Sequence, residues 1–250
     1  MSWKIIIAGM AMCAAGAAPA AAQSLQIPAV LAEKTDICFG DGQPDQIIEA
    51  CLDILLSEEV TKEDKSQAFH QRAMAYIAIG DLDNAIYDFN AAMALTPNNA
   101  EVLNDRGNAY AQNGDLAAAV ADHSRAIEIE PDVAKFYNNR AVDYMDLERV
   151  EQALLDLDKA VDLDPDYGAA YRNRSRVRCS LNLLIASLDD KLAAIRLGSV
   201  DVGALQEDMT RSGDYAGPIN GMLDGQTERS LRAWMLETCR ADPDSDQEQL

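Results

Sequence analysis

The sequence predicts an all-α chain: a helix-turn-helix solenoid closed at its C-terminal end by a small helical module. Two observations predict the solenoid. Pro97, Pro131 and Pro165 fall at intervals of 34 residues. Around them the same columns recur: Tyr76, Tyr110 and Tyr144; Ala85, Ala119 and Ala153; Ala92, Ala126 and Ala160. Small residues at fixed offsets in such a period mark helix pairs that bury their apolar faces on their neighbours. A third observation predicts the module. The columns fade after residue 199, and a stretch dense in turn residues, 213–221, separates two further runs with helical spacing.

Residues 1–22 read as a secretory signal peptide. Lys4 precedes an apolar run from Ile5 to Ala18, and Ala20-Ala21-Ala22 supplies the small residues of a cleavage site, with cut expected after Ala22. The run is too short and too Ala-rich for a stable membrane anchor. Met12 is too large for the small residue that a lipoprotein signal needs before its cysteine, Cys13. No other stretch is apolar enough to cross a bilayer, so no integral membrane span is expected. Export places the chain in the periplasm of a Gram-negative envelope.

Residues 23–65 are expected to cap the array. Residues 23–44 lack periodicity and contain Pro28, Gly40, Gly42 and Pro44, which predicts a mostly irregular leading segment. Residues 45–58 carry Ile47, Ile48, Cys51, Ile54 and Leu55 on one stripe, the spacing of an amphipathic helix. They read as the second helix of a half-repeat whose first helix is missing.

The array covers 66–199. Clear repeats occupy 66–99, 100–133 and 134–167, and a degenerate fourth, 168–199, keeps Tyr171, Leu188 and Ala194. Gly80-Asp81 and Gly114-Asp115 supply turn chemistry within a repeat. Each proline stops the second helix and directs the chain into the next repeat. The columns Phe69, Tyr76, Gly80, Ala85, Phe89, Ala92, Pro97, then Leu103, Gly107, Tyr110, Gly114, Ala119, Ala126, Pro131, then Tyr137, Tyr144, Ala153, Ala160, Pro165 resemble tetratricopeptide repeats. That resemblance implies a right-handed solenoid and a general protein-interaction scaffold. In its register the first helices line a concave groove at His70, Met74, Asn104, Asn108, Asn138, Arg172 and Arg176. The partner implied is an unidentified protein or extended peptide, its backbone held by the Asn amides and a carboxylate by the arginines. The plainer alternative is a solvated surface.

One feature is particular to this array. Arg72, Arg106, Arg140 and Arg174 share a column, and Asp88, Asp122, Asp156 and Asp190 share another, each 16 residues after its arginine. The midpoints, Gly80, Gly114, Glu148 and Asn182, are the turn positions. Residues equidistant from an antiparallel turn lie at one height, so each Arg is expected to face its Asp. Four copies of one dyad point to structural ion pairs rather than catalysis.

The chain carries 21 Lys+Arg against 42 Asp+Glu, a net charge of −21. Losing Lys4 with the leader leaves 20 cations and a net charge of −22. Phosphate backbones would be repelled, so nucleic acid is excluded as a partner. Four cysteines follow the leader: Cys38, Cys51, Cys179 and Cys239. An even number in an exported chain indicates two disulfides. Of three pairings, Cys38–Cys51 is the local one and leaves Cys179–Cys239. No Cys-x-x-Cys occurs and only two histidines, His70 and His123, are present, so neither a metal site nor a cofactor is indicated.

Residues 200–239 form the closing module. Val202, Leu205 and Met209 have helical spacing. Thr227, a candidate N-cap, opens a second run through Leu231, Trp234 and Met235. Leu205-Gln206, Gly213, Tyr215, Gly217-Pro218-Ile219-Asn220-Gly221, Thr227, Leu231 and Trp234 resemble a three-helix peptidoglycan-binding module. The chain departs from that pattern at Asn220, usually Asp, at Asp224, usually Gly, and at Gly225, usually Pro. The resemblance implies peptidoglycan as a further partner, contacted by Tyr215, Asn220 and Trp234. The alternative is a structural cap. Its apolar stripe and the short 198–201 connection predict direct docking on the fourth repeat. Residues 240–250 are polar and acidic and read as a disordered tail.

No zincin spacing, phosphate loop, nucleophile elbow or Cys–His constellation is visible, so no catalytic residue is indicated. Three functions follow in order: a non-catalytic envelope scaffold, an adaptor tethering a partner to the wall, and an envelope hydrolase or its regulator.

Overall fold

A computed structural model of the chain describes residues 31–40 and 42–239. The predicted signal peptide and the acidic tail at 240–250 lie outside the described residues. Among the described residues the chain forms twelve α-helices and no strand. They come in successive pairs: α1 (Ala32–Cys38) and α2 (Pro44–Leu56); α3 (Lys62–Ala78) and α4 (Leu82–Leu95); α5 (Ala100–Gln112) and α6 (Leu116–Ile129). Then follow α7 (Ala134–Asp146) and α8 (Val150–Leu163); α9 (Gly168–Ser180) and α10 (Leu184–Arg196); and α11 (Val202–Ser212) and α12 (Gly225–Thr238). Each helix packs on the next in sequence through the array, the pattern of a solenoid.

The alanine columns explain how closely the helices approach. Ala85, Ala119, Ala153, Ala92, Ala126 and Ala160 are all completely buried. Larger residues between them fill the gaps: Phe89 and Leu157 occupy one column, and His123 takes the equivalent place in the second repeat. The turns are built alike. Gly80 and Gly114 have φ of 80° and 85°, and Glu148 and Asn182 hold the same left-handed position at 58°. The amide after each closes back onto the carbonyl five residues earlier: Asp81 N–H to Tyr76 O, Asp115 to Tyr110, Arg149 to Tyr144, Leu183 to Arg178. Asp81 and Asp115 then cap the second helices by accepting from the Asn84 and Ala118 amides.

The structure corrects the sequence reading at both ends. The first helix expected to be missing is present: α1 spans Ala32–Cys38 and pairs with α2. Its sequence has too few apolar residues to show a stripe. Cys38, bonded to Cys51 at 2.05 Å, and a 3.0 Å Lys34–Asp53 ion pair hold it on α2 instead. Helix α3 begins at Lys62, ahead of the expected 66, because Thr61 and Asp64 form a reciprocal cap.

The C-terminal module has two helices of its own, not three. Leu188, Leu192 and Ile195 of α10 form one core with Leu205, Met209, Tyr215, Leu231 and Met235. The last helix of the array thus supplies the third side of the module, so the two cannot be separated without opening an apolar face. A second disulfide, Cys179–Cys239 at 2.02 Å, joins α9 to the end of α12. Asp224, not Thr227, caps α12, accepting from the Gln226 and Thr227 amides. Those bonds hold its carboxyl below the usual carboxylate range. Thr227 is buried one turn inside.

Candidate functional site: the concave face

The first helices of the repeats, α3, α5, α7 and α9, carry all seven expected groove residues. They do not form one kind of surface. Asn104 and Asn138 are buried, with 1% and 5% exposure, and their amides are already engaged. Asn139 Nδ2 donates to Asn104 Oδ1 at 2.9 Å, and Asn173 Nδ2 donates to Asn138 Oδ1 at 2.9 Å. His70 Nε2 meets Asp105 Oδ2 at 2.7 Å in the equivalent place. Each rung joins residues 35 apart, one helix to the same helix of the next repeat. The expected backbone-binding asparagines are therefore rungs of an inter-repeat ladder, and Asn104 and Asn138 are not open to a ligand.

The remaining groove residues differ. Met74 is exposed and Asn108 half-buried. Arg172 and Arg176 are exposed on α9. Arg172 donates to the Ser199 carbonyl at 3.3 Å. Among the described residues no carboxylate stands in ion-pair range of either arginine. Beside them is a residue the sequence reading missed, Lys191 of α10. Burial first, then the positive charges of Arg172 and Arg176, hold its ammonium below the ordinary lysine value, while Asp208 opposes them. Its column could have revealed it: Phe89, His123, Leu157 and Lys191 recur every 34 residues, and only the last is a lysine. Arg172 and Arg176 thus stand exposed, one turn apart, at the C-terminal end of the concave face of an acidic chain.

The arginine–aspartate columns meet as their spacing predicts. Nε and Nη2 of Arg72, Arg106, Arg140 and Arg174 bond both oxygens of Asp88, Asp122, Asp156 and Asp190 at 2.7–2.9 Å. In the three later repeats the free Nη1 reaches 16 residues back, to Asn90, Ser124 or Asp158. Each guanidinium also lies 5.3–5.9 Å from a tyrosine or phenylalanine ring of its own helix. Hydrogen bonding to the carboxylate raises Arg72, Arg106 and Arg140 above the ordinary guanidinium value despite burial. These groups tie helix to helix and repeat to repeat.

The module is organised around Gln206, which is completely buried. Its Nε2 lies 3.0–3.2 Å from Tyr215 Oη, Asn220 Oδ1, Met222 O and Thr227 Oγ1, which share its two protons, and its Oε1 accepts from the Asn220 and Gly221 amides. One amide fixes the whole 213–224 loop. The three residues expected to contact glycan do not share a surface. Tyr215 is buried and its hydroxyl donates to the Pro218 carbonyl. Trp234 is half-buried against the core shared with α10. Asn220 is exposed, but its side-chain oxygen accepts from Gln206 and from the Met222 amide. The loop instead exposes Ile219 and Met222, at 51% and 64%.

Among the described residues no cluster of His, Cys, Asp or Glu could hold a metal ion, and no helix is long and apolar enough to cross a membrane.

A TPR repeat family matches residues 73–114, and the tetratricopeptide repeat family matches 100–133 and 134–167. Among solved structures, MamA 41-end from Desulfovibrio magneticus RS-1 is similar, with 17% identity and a TM-score of 0.60 over 68% of this chain and 93% of that one. A crystal structure of MamA is similar at 19% identity and a TM-score of 0.56, over 62% of this chain and 88% of that one. No curated protein matches the chain. At these identities the structures speak to the fold alone. The chain is an all-α repeat solenoid, and its residues 73–167 are tetratricopeptide repeats.

Proposed function

We propose that the chain is an exported, non-catalytic scaffold whose concave face binds an extended segment of a partner protein in the cell envelope. The tetratricopeptide repeats support the scaffold reading, and the leader-like residues 1–22 support export. The observation that carries the site is the exposed pair Arg172 and Arg176, one turn apart on α9, with no carboxylate in ion-pair range among the described residues, on a chain of net charge −21. A long cationic side chain kept free of acids in so acidic a protein suits an acidic ligand group. Because the ladder closes the floor of the groove, specificity comes from this end and from exposed positions such as Met74, not from Asn104 or Asn138. In-cell cross-linking should recover a partner with the wild-type chain and lose it with R172A/R176A, while the melting temperature stays within a degree or two. Recovery of the same partner by both chains would remove the site.

A second reading is that the module holds peptidoglycan. The loop fixed by Gln206, with Ile219 and Met222 projecting, favours it. Cosedimentation with purified peptidoglycan that is lost in I219S/M222S would support it; a wild-type chain left in the supernatant would end it.

A further inference from the structure

We propose that the partner's acidic segment also carries a large apolar residue, which seats in a cavity at the start of α9 and sets the register of the acids on Arg172 and Arg176. The inference rests on reading the two arginines as a binding site, and it names the sequence class of the segment they bind. The cavity, of about 390 Å³, lies between the start of α7 and the turn that joins α8 to α9. Its apolar walls are Val133, Ala134, Leu163 and the Tyr167 ring. Ala134 is buried and the other three are half-buried, so the walls stay open to an incoming group. A pocket of this size and lining suits the apolar anchor on which protein recognition commonly depends. Asp132 and Asp164, both exposed, also line it and repel a carboxylate from the cavity itself. Lys135, the one cation in the lining, is already bonded to Glu101 at 2.7 Å.

Helix α9 sets the spacing. Tyr167 is its N-cap, and the same helix carries both arginines. At 1.5 Å per residue Arg172 stands about 7.5 Å and Arg176 about 13.5 Å along the axis from Tyr167. An extended segment advances about 3.3–3.6 Å per residue, so two residues span about 7 Å and four about 14 Å. Alternate residues of such a segment point to one face. A segment laid along α9 with an apolar residue in the cavity therefore brings the residues two and four places away over Arg172 and Arg176. Both are wanted as acids, and neither falls beside Asp132 or Asp164. The cavity and the arginines are electrostatically continuous. Burial raises the Tyr167 hydroxyl above its ordinary value, and the charges of Lys135 and then Arg172 oppose it.

The test uses fluorescent peptides of one length, each with one phenylalanine and two aspartates in an otherwise neutral chain, added to the full-length protein. In the first pair the aspartates stand two and four places from the phenylalanine, on its N-terminal or its C-terminal side. In the second pair they stand one and three places away. A control replaces the phenylalanine of the first pair with serine. The better peptide of the first pair should bind at least about tenfold more tightly than the second pair and the serine control. Val133→Trp, which fills the cavity, and Tyr167→Ala, which removes a wall, should each abolish that preference, with melting curves reporting the fold. The spacing comparison on the wild-type chain needs neither variant. Equal affinity at both spacings overturns the proposal, as does a preference that survives both substitutions in folded chains. If the serine control still binds and is lost in R172A/R176A, the acidic-ligand reading stands without the anchor. If no aspartate peptide binds, that reading falls as well.

Discussion

Asn173 donates its side-chain amide to the side-chain oxygen of Asn138, 2.9 Å away on the same helix of the preceding repeat. Both residues are buried. Replacing Asn138 with Ala leaves the Asn173 amide without its acceptor inside the array, a loss of about 1–3 kcal/mol. Chemical denaturation should show that loss with partner binding intact. Unchanged stability together with lost binding would return Asn138 to the groove.

This relationship shows what the sequence could reveal. The repeat period, the helices of the array, the arginine–aspartate pairing and the docked module follow from columns and spacing, because repeated packing repeats its residues. The ladder was legible too, as polar columns one residue out of step with the 34-residue period, but the family register gave Asn104 and Asn138 to the groove. Other features leave little trace. Helix α1 is held by a disulfide and an ion pair rather than by an apolar stripe. The module looks like a three-helix unit until α10 is seen to complete it. Tyr215 and Trp234 carry the chemistry of a glycan site, and only the burial of the first and the packing of the second against the core shared with α10 set them apart from one.

The arginine column is predicted to be structural. Arg106 uses Nε and Nη2 on Asp122 and Nη1 on Asn90, with both partners of the ion pair largely buried. Arg106→Ala strands the carboxylate and cuts a link to the preceding repeat. The cost should be on the order of 2–4 kcal/mol, read from the denaturant midpoint. A change under about 0.5 kcal/mol would place the pair with ordinary surface salt bridges.

A buried proton links the second and third repeats. His123 sets Nδ1 against Asp143 Oδ2 at 2.6 Å and Nε2 against the Asn104 carbonyl at 3.2 Å. The carbonyl only accepts, so Nε2 carries a proton, and a second proton must lie between His123 and Asp143. Space is tight: a Cβ on Gly107 would stand 2.7 Å from Nε2. Burial raises the Asp143 carboxyl above its ordinary 3.8, though the His123 bond opposes this. A raised folded-state value means that the native chain holds the proton more firmly than the unfolded chain. The associated stability is complete below about pH 3.8 and declines as pH rises through the raised value. In D143N the amide donates to Nδ1 at every pH, so this decline should disappear from a series of melts. An identical pH slope in both chains would contradict the assignment.

Glu148 occupies a left-handed turn position, φ 58°, that the first two repeats give to glycine. Its side chain is exposed. Glu148→Gly should therefore stabilise the array, by about 0.5–1 kcal/mol once glycine's greater freedom when unfolded is deducted from the relieved strain. Thermal melting checks the sign, and a lower melting temperature would show that Glu148 contributes something other than its backbone.

The central claim is that the cationic end of the concave face recognises an acidic extended segment. The most direct measurement is affinity of the full-length chain for a peptide series of one length, acidic, neutral and basic. Acidic peptides should bind most tightly, weaken steeply with salt, and lose nearly all affinity when Arg172 and Arg176 are replaced by alanine. Preference for neutral or basic peptides, or affinity that survives loss of both arginines, would contradict the account.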